Sequence, residues 1–335
     1  MALFKTCSTH HLGFCQGGKV KTTFIEDLKS GNELMNEPFL LQDVSRRKTK
    51  NDRPFLLGTL RDKTGQVACV FWDVPDYVEH WVRPGMVVLV SGRASNYKDA
   101  LQVSITDLND MHNPDMSEFL PSSKRPLSEM IAELKERTAA LAEPWQSLVT
   151  HLLLDEKFLS RFSNAPAARA MHHAYIGGLL EHTLSMAVLA ETLINHYPDV
   201  NKDLLMAGTL LHDLGKVIEY TTDEAFDFSE DGRLVGHIIR GIVMVEQAAA
   251  EIDNFPQAEL RHLIHLIGSH HGTQEWGSPV VPKTLEAVLL HQIDLLDSRV
   301  QGFLDYVNND DGEGPWTSKY SPMFNTELRH PTDFK

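Results

Sequence analysis

The hydrophobic period changes part-way along this chain, and that change limits the fold more than any other feature. Up to about residue 109, β-branched, aromatic and other apolar residues gather in short runs at 39–41, 54–61, 67–72, 86–94 and 101–108, separated by turn signals. Asp62-Lys63-Thr64-Gly65 is a hairpin turn by composition, and Arg83-Pro84-Gly85 punctuates the chain before the fourth run. Beyond Pro126 the apolar positions recur at helical spacing. Leu127, Met130, Ile131 and Leu134 open the series, with Ser128 as candidate cap, and 145–154, 176–196, 204–214, 237–252, 260–270 and 284–304 continue it.

A chain of 335 residues is longer than one domain usually is. The expected organisation is an N-terminal extension over 1–17, a five-stranded barrel of OB type over 18–110, a linker over 111–126 rich in Pro, Ser and Asn, and an all-α bundle over 127–335. No internal repeat supports a solenoid. No apolar run approaches the length of a membrane span, and the N-terminus lacks a secretory signal, so the expected location is the cytoplasm.

The net charge of −15 argues against wrapping nucleic acid by bulk electrostatics, but the charge is unevenly placed. Residues 18–110 carry 13 Lys/Arg against 13 Asp/Glu, and residues 111–335 carry 17 against 33. Within the barrel, Arg46, Arg47, Lys48, Lys50, Arg53 and Arg61 form the densest basic cluster, which reads as a phosphate-tracking surface or a solvated loop. Phe55, Phe71, Trp72 and Tyr97 are candidate base-stacking platforms. Alternation along a strand exposes one of Phe71 and Trp72, and Trp72 is the expected one.

The three cysteines, Cys7, Cys15 and Cys69, are too few for a disulfide framework. Cys7, His10, His11 and Cys15 offer zinc-type donors in a spacing that matches no compact finger, and a terminal tail is the competing reading.

The helical half holds an ordered series of imidazole and carboxylate residues: His182, His212-Asp213, His237, His270-His271 and Asp294. Nitrogen and oxygen donors without thiolate suit an open catalytic site for manganese, iron(II), cobalt, nickel or zinc better than a structural zinc cage. Adjacent helical residues diverge by about 100°, so His212 and Asp213 can share a target only where the helix ends, and Gly215 supplies that ending. A carboxylate there can bridge two cations, which together activate a hydroxide and stabilise an in-line phosphoryl displacement. Lys216 can neutralise a phosphate oxygen.

Several neighbours carry two readings. His271 is a ligand or a substrate contact. His172 and His173 reach a substrate phosphate or face solvent. His291 and Asp297 read as solvated polar surface, with Asp297 the rival of Asp294, and His262 and His265 read as surface or core residues.

These stretches resemble a known family. The ordered pattern resembles the HD-domain metal-dependent phosphohydrolases. The stretches running from Leu211 through His212-Asp213-Leu214-Gly215-Lys216 to Glu219, from Leu234 to Ile238, and from Ser269 to Pro279 are similar to the YhaM-type 3′-5′ exoribonucleases. The resemblance spans roughly Lys19 to the tail. Asp62-Lys63-Thr64-Gly65, Phe71-Trp72-Asp73, Tyr97 and Gln102 match the family's OB domain, and 316–328 is similar to its tail. The resemblance implies that His182, His212, Asp213 and Asp294 bind one metal and that Asp213, His237 and His270 hold the second. It further implies stepwise hydrolysis of single-stranded RNA from the 3′ end, with single-stranded DNA a further substrate. The metal would be manganese, with iron(II), cobalt, nickel or magnesium as alternatives, the products nucleoside 5′-monophosphates, and the protein a homo-oligomer. Gly272-Thr273-Gln274 stands where the branch that cleaves cyclic dinucleotides carries Gly-Tyr-Pro. Two other readings compete: a phosphodiesterase or phosphatase of small nucleotides with a regulatory barrel, and a non-catalytic single-strand binder.

Overall fold

A computed structural model describes residues 21–331 except 99, 113, 169–172, 222–226, 311 and 313. The segment bearing Cys7, His10, His11 and Cys15, and His172, lie outside the described residues. The chain divides into two compact units, Met1–Asp115 and Met116–Lys335.

In the first unit, strands β1 (Glu33–Lys48), β2 (Pro54–Asp62), β3 (Gly65–Trp72), β4 (Val87–Tyr97) and β5 (Ala100–Asp110) close a barrel in the order β1-β2-β3-β5-β4. All pairs are antiparallel except β3 with β5, whose register sets Phe71 opposite Ile105. The three-residue apolar run at 39–41 is only the centre of β1. That strand extends to 16 residues because register shifts at Leu34/Glu37 and Leu41/Asp43 bend it enough to pair with both β4 and β2. Gly58 lies opposite the second irregularity, where a Cβ would meet the Asp43 carbonyl at 2.5 Å, so only glycine lets β2 approach there.

Alternation fills the barrel with Phe39, Leu60, Val67, Phe71, Val88, Val90 and Val103. A short helix absent from the sequence reading, α1 (Asp76–Trp81), caps it by inserting Val78 and Val82. The β2–β3 turn is tied by Asp62, which accepts hydrogen bonds from Thr64 N at 2.8 Å and Ile25 N at 2.9 Å.

The second unit is helical: α2 (Leu127–Ala139), α3 (Trp145–Leu153), α4 (Glu156–Asn164), α5 (Gly178–His196), α6 (Lys202–Leu211), α7 (Lys216–Glu219), α8 (Glu230–Leu234), α9 (His237–Ala250), α10 (Gln257–Ser269) and α11 (Leu285–Asn308). A two-residue ladder, β6 (Tyr220–Thr221) with β7 (Asp227–Phe228), interrupts it. Ser128 falls inside α2, whose N-cap is Pro126, so its capping role does not hold. Elsewhere side chains do cap: Asp155 accepts from Phe158 N, Asn201 from Leu204 N and Thr284 from Ala287 N.

Leu148, Leu179, Leu184, Leu205, Leu211, Leu263, Ile267 and Leu290, from five helices, form one buried core. Each such side chain removed from water contributes about 1.5–3 kcal/mol. That core fixes α5, α6, α9, α10 and α11 side by side, and these five helices or their immediate ends carry the ordered histidines and aspartates.

Candidate metal centre

Asp213 lies at the middle of the convergence. α6 ends at Leu211, His212 is its cap residue, and the chain turns through Asp213, Leu214 and Gly215 into α7, with Lys216 N donating to Asp213 O at 2.9 Å. The turn lets two successive side chains face one place, which a continuing helix would prevent. Gly215 is required because a Cβ there would meet the His237 carbonyl at 2.1 Å, so this turn packs directly on the start of α9.

The two oxygens of Asp213 face two sets of partners. Oδ2 lies 3.2 Å from His212 Nε2, 3.7 Å from His182 Nε2 and 2.6 Å from Lys216 Nζ. Oδ1 lies 3.5 Å from His237 Nε2 and 3.6 Å from His270 Nε2. Asp294, on α11, reaches the first set, with Oδ1 3.4 Å from His182 Nε2. Ligand atoms of His182, His212 and Asp213 fall within 4.8 Å of one another, as do those of His237, His270 and His271. The residues marked out in the sequence are thus together in space, and His271 joins the Oδ1 side.

Each imidazole is oriented through Nδ1. His212 Nδ1 is 2.9 Å from Thr209 O, His270 Nδ1 is 2.7 Å from Ile267 O and His271 Nδ1 is 2.7 Å from Trp276 O. A carbonyl oxygen can only accept, so these three rings carry their proton on Nδ1 and turn the Nε2 lone pair inward. His182 Nδ1 is 2.7 Å from Asp297 Oδ2, and His237 Nδ1 is 2.9 Å from the Glu219 carboxylate.

Asp297 and Glu219 stand behind two of these imidazoles, a place the sequence reading did not give them. Asp297 is 8% exposed and receives hydrogen bonds from His182, His173 and Ser185, which corrects the expectation of solvated surface. Its spacing three residues from Asp294 put it on the same helical face, the signal that was available. His173 is buried behind His182, with Nδ1 2.7 Å from the Tyr175 hydroxyl and Nε2 3.2 Å from Asp297, so it faces neither solvent nor an open phosphate position. His291 is half-buried and bonds His270 O through Nδ1 at 2.8 Å, another departure from solvated surface. His262 is exposed and His265 accepts from Lys283 N at 2.9 Å.

The electrostatics fit a cation-binding cluster. Burial alone would raise the Asp213 pKa, yet Lys216 and His212 hold it well below the ordinary carboxylate range. Burial likewise opposes ionisation of Asp294, and His182 with the neighbouring imidazoles overcomes it. Lys216 is buried, which favours the neutral amine, but Asp213 outweighs this and keeps it an ammonium. Burial drives His270 well below its usual value, so it is neutral at physiological pH. Among the described residues, His212 Nε2, His237 Nε2, His270 Nε2 and Asp213 Oδ1 are buried with no hydrogen-bond partner. An unmet buried polar atom costs about 1–3 kcal/mol, so four converging ones are a strong reason to expect divalent cations. Nitrogen and oxygen donors with no thiolate suit such ions.

In the barrel, Trp72 is 52% exposed and Phe71 4%, and Trp72 stacks on Phe55 with centroids 4.8 Å apart at 25°. Tyr97 is 57% exposed, with Lys98 Nζ 5.5 Å from its ring centroid. Arg46, Arg47 and Lys48 lie on β1 and Arg61 on β2, while Lys50 and Arg53 lie exposed in the loop between those strands, so the cluster is part strand and part loop. Arg46 donates to Val82 O at 2.7 Å and Lys48 pairs with Asp52 at 2.9 Å, and all three basic residues of β1 are exposed.

Residues 179–299 match the HD domain family, and residues 43–111 match the family described as OB-fold nucleic acid binding domain. The 3′-5′ exoribonuclease YhaM of Geobacillus sp. (strain WCH70) is 35% identical over 301 residues, covering 86% of this chain and 92% of that one. The chain belongs to the YhaM family. The HD-domain match and this relative make the chain a metal-dependent hydrolase, and the matched span encloses His182, Asp213, His237, His270 and Asp294. Among solved structures, the second OB-fold domain of replication protein A from Methanococcus maripaludis is 16% identical, covering 28% of this chain and 96% of that one at a TM-score of 0.22. The protein PriB from Ralstonia solanacearum is 17% identical, covering 25% and 99% at 0.20. No helix among the described residues of the chain is long and apolar enough to cross a membrane.

Proposed function

We propose that this protein removes nucleotides singly from the 3′ end of single-stranded RNA, at a centre around Asp213 whose residues would hold two divalent cations. The observation that carries the reading is the division of that carboxylate, Oδ2 toward His182 and His212 and Oδ1 toward His237 and His270. His182, His212, Asp213 and Asp294 would hold one cation, and Asp213, His237 and His270 the other, with His271 close enough to join them. Manganese suits this donor set. When bound, such cations lower the pKa of water and neutralise phosphate charge.

The chain's own groups do the rest. The Nδ1 hydrogen bonds hold each imidazole as an inward-facing donor, so little reorganisation is left for the reaction. Lys216, kept cationic by Asp213, offers positive charge to a non-bridging phosphate oxygen. Water oxygen bonds to phosphorus, the bond from phosphorus to the 3′ oxygen breaks, and the shortened chain leaves with a 3′ hydroxyl while a nucleoside 5′-monophosphate is released. Trp72 with Phe55 beneath it, and Tyr97, present aromatic faces on which bases of a single strand stack in any sequence, and Arg46, Arg47 and Lys48 supply nearby positive charge.

The test is 5′-end-labelled single-stranded RNA incubated with the protein and Mn²⁺. A ladder shortening from the 3′ end with 5′-monophosphate products is expected, abolished in Asp213→Ala. Internal cuts, or hydrolysis confined to small nucleotides, would overturn the reading.

A further inference from the structure

The backing of the imidazoles follows a pattern. On the Oδ2 side of Asp213, His212 leans on a backbone carbonyl, Thr209 O, whereas His182 leans on a carboxylate, Asp297. On the Oδ1 side, His270 and His271 lean on carbonyls, Ile267 O and Trp276 O, whereas His237 leans on a carboxylate, Glu219. Each side therefore has one imidazole whose Nδ1–H is shared with an anion. An anionic acceptor makes the opposite ring nitrogen a stronger electron-pair donor than a neutral carbonyl does, and it fixes the ring more firmly.

Both carboxylates are built for this. Asp297 is buried on α11, receives Ser185 Oγ–H on Oδ1, and receives His182 and His173 together on Oδ2. His173 is a non-glycine residue at φ +54°, a conformation that costs energy and persists only where the surroundings impose it. Its carbonyl accepts from Ala167 N at 3.1 Å and Tyr175 N at 2.9 Å, which pins that conformation and sets the imidazole between Tyr175 and Asp297. Glu219, at the end of α7, accepts from both the backbone N of His237 at 3.1 Å and its ring, so it fixes the start of α9 and the imidazole at once.

We propose that Asp297 and Glu219 are positioning residues that set the affinities of the two cation seats separately, Asp297 through His182 for one and Glu219 through His237 for the other. The inference rests on the two-cation reading above. Its distinctive consequence is separability: each carboxylate governs the seat it backs and leaves the other nearly untouched.

The experiment is calorimetric titration of the chelator-stripped full chain with Mn²⁺, which reads binding and not turnover. The wild type takes up two ions per chain, and one would refute the two-cation reading itself. Given two, Asp297→Ala weakens one binding event about 10–100-fold and spares the other, Glu219→Ala does the reverse, and the double variant weakens both. Asp297→Asn and Glu219→Gln keep an oxygen acceptor without its charge. They retain the Nδ1–H signals of His182 and His237 in imidazole nitrogen spectra and recover part of the affinity, which also covers the case in which an alanine variant fails to fold. Equal weakening of both events by either single variant, or no weakening by the Asn and Gln variants and none by Ala, overturns the proposal.

Discussion

Lys216 Nζ lies 2.6 Å from Asp213 Oδ2, on the side of that carboxylate shared with His182 and His212. A buried ammonium this close to the proposed cation-binding carboxylate would compete with the cation for the same oxygen, so its place there fits a role toward the substrate phosphate. Lys216→Met is expected to lower kcat about 10²-fold, the usual effect of losing one donor to a developing charge, while bound metal stays the same or rises. Steady-state kinetics beside metal analysis separates the two effects, and a parallel loss of metal would show that Lys216 supports the cations instead.

Gly215 couples the Asp213 turn to the first residue of α9. A methyl group there would meet the His237 carbonyl at 2.1 Å and Gly241 N at 2.9 Å, both backbone atoms that cannot swing aside. Gly215→Ala should therefore destabilise the protein by about 1–3 kcal/mol through overpacking, and should displace His237 from the Oδ1 side. Denaturant melts together with Mn²⁺ titration check both parts; unchanged stability would contradict the close packing.

Buried unpartnered donors make the centre unfavourable without its ions. Chelation should lower the thermal midpoint, because an ion at about 100 times its Kd contributes about 2.7 kcal/mol, each kcal/mol being worth about 2–4 °C in a unit of this size. Scanning calorimetry with and without Mn²⁺ measures it. Asp213→Asn should abolish the difference, and a persisting shift would place the ions elsewhere.

The barrel aromatics should contribute to binding without touching chemistry. In an Asp213→Ala background, Trp72→Ala and Tyr97→Ala are each expected to cost about 1–3 kcal/mol of affinity for a single-stranded oligonucleotide. Fluorescence anisotropy reads this, and unchanged affinity in both variants would remove that face from the interface.

Cys69 faces the barrel interior, and burial raises its thiol pKa to about 12. The reactive thiolate is thus scarce at ordinary pH. Alkylation with iodoacetamide at pH 8 should spare Cys69 until denaturant is added; ready modification of the native protein would contradict its burial.

Much of this arrangement was legible because it depends on local pattern. Alternation in 67–72 distinguished Phe71 from Trp72, and helical spacing with Gly215 as a stop located the turn that aims His212 and Asp213 together. What escaped depends on tertiary partners. α1 is too short to leave a periodic trace, and β1 looked short because its outer residues pair with different neighbours across two irregularities. Glu219 carries no mark of burial in the sequence and Asp297 only its place on the helical face of Asp294, since a carboxylate reads as solvated until the histidines it receives are known.

The most direct measurement is anomalous scattering from a crystal of the protein loaded with Mn²⁺. Two peaks are predicted, one against Asp213 Oδ2 near His182, His212 and Asp294, the other against Oδ1 near His237 and His270, and both should vanish in Asp213→Ala. Peaks away from Asp213, or none in the wild type at saturating metal, would contradict the assignment of the centre.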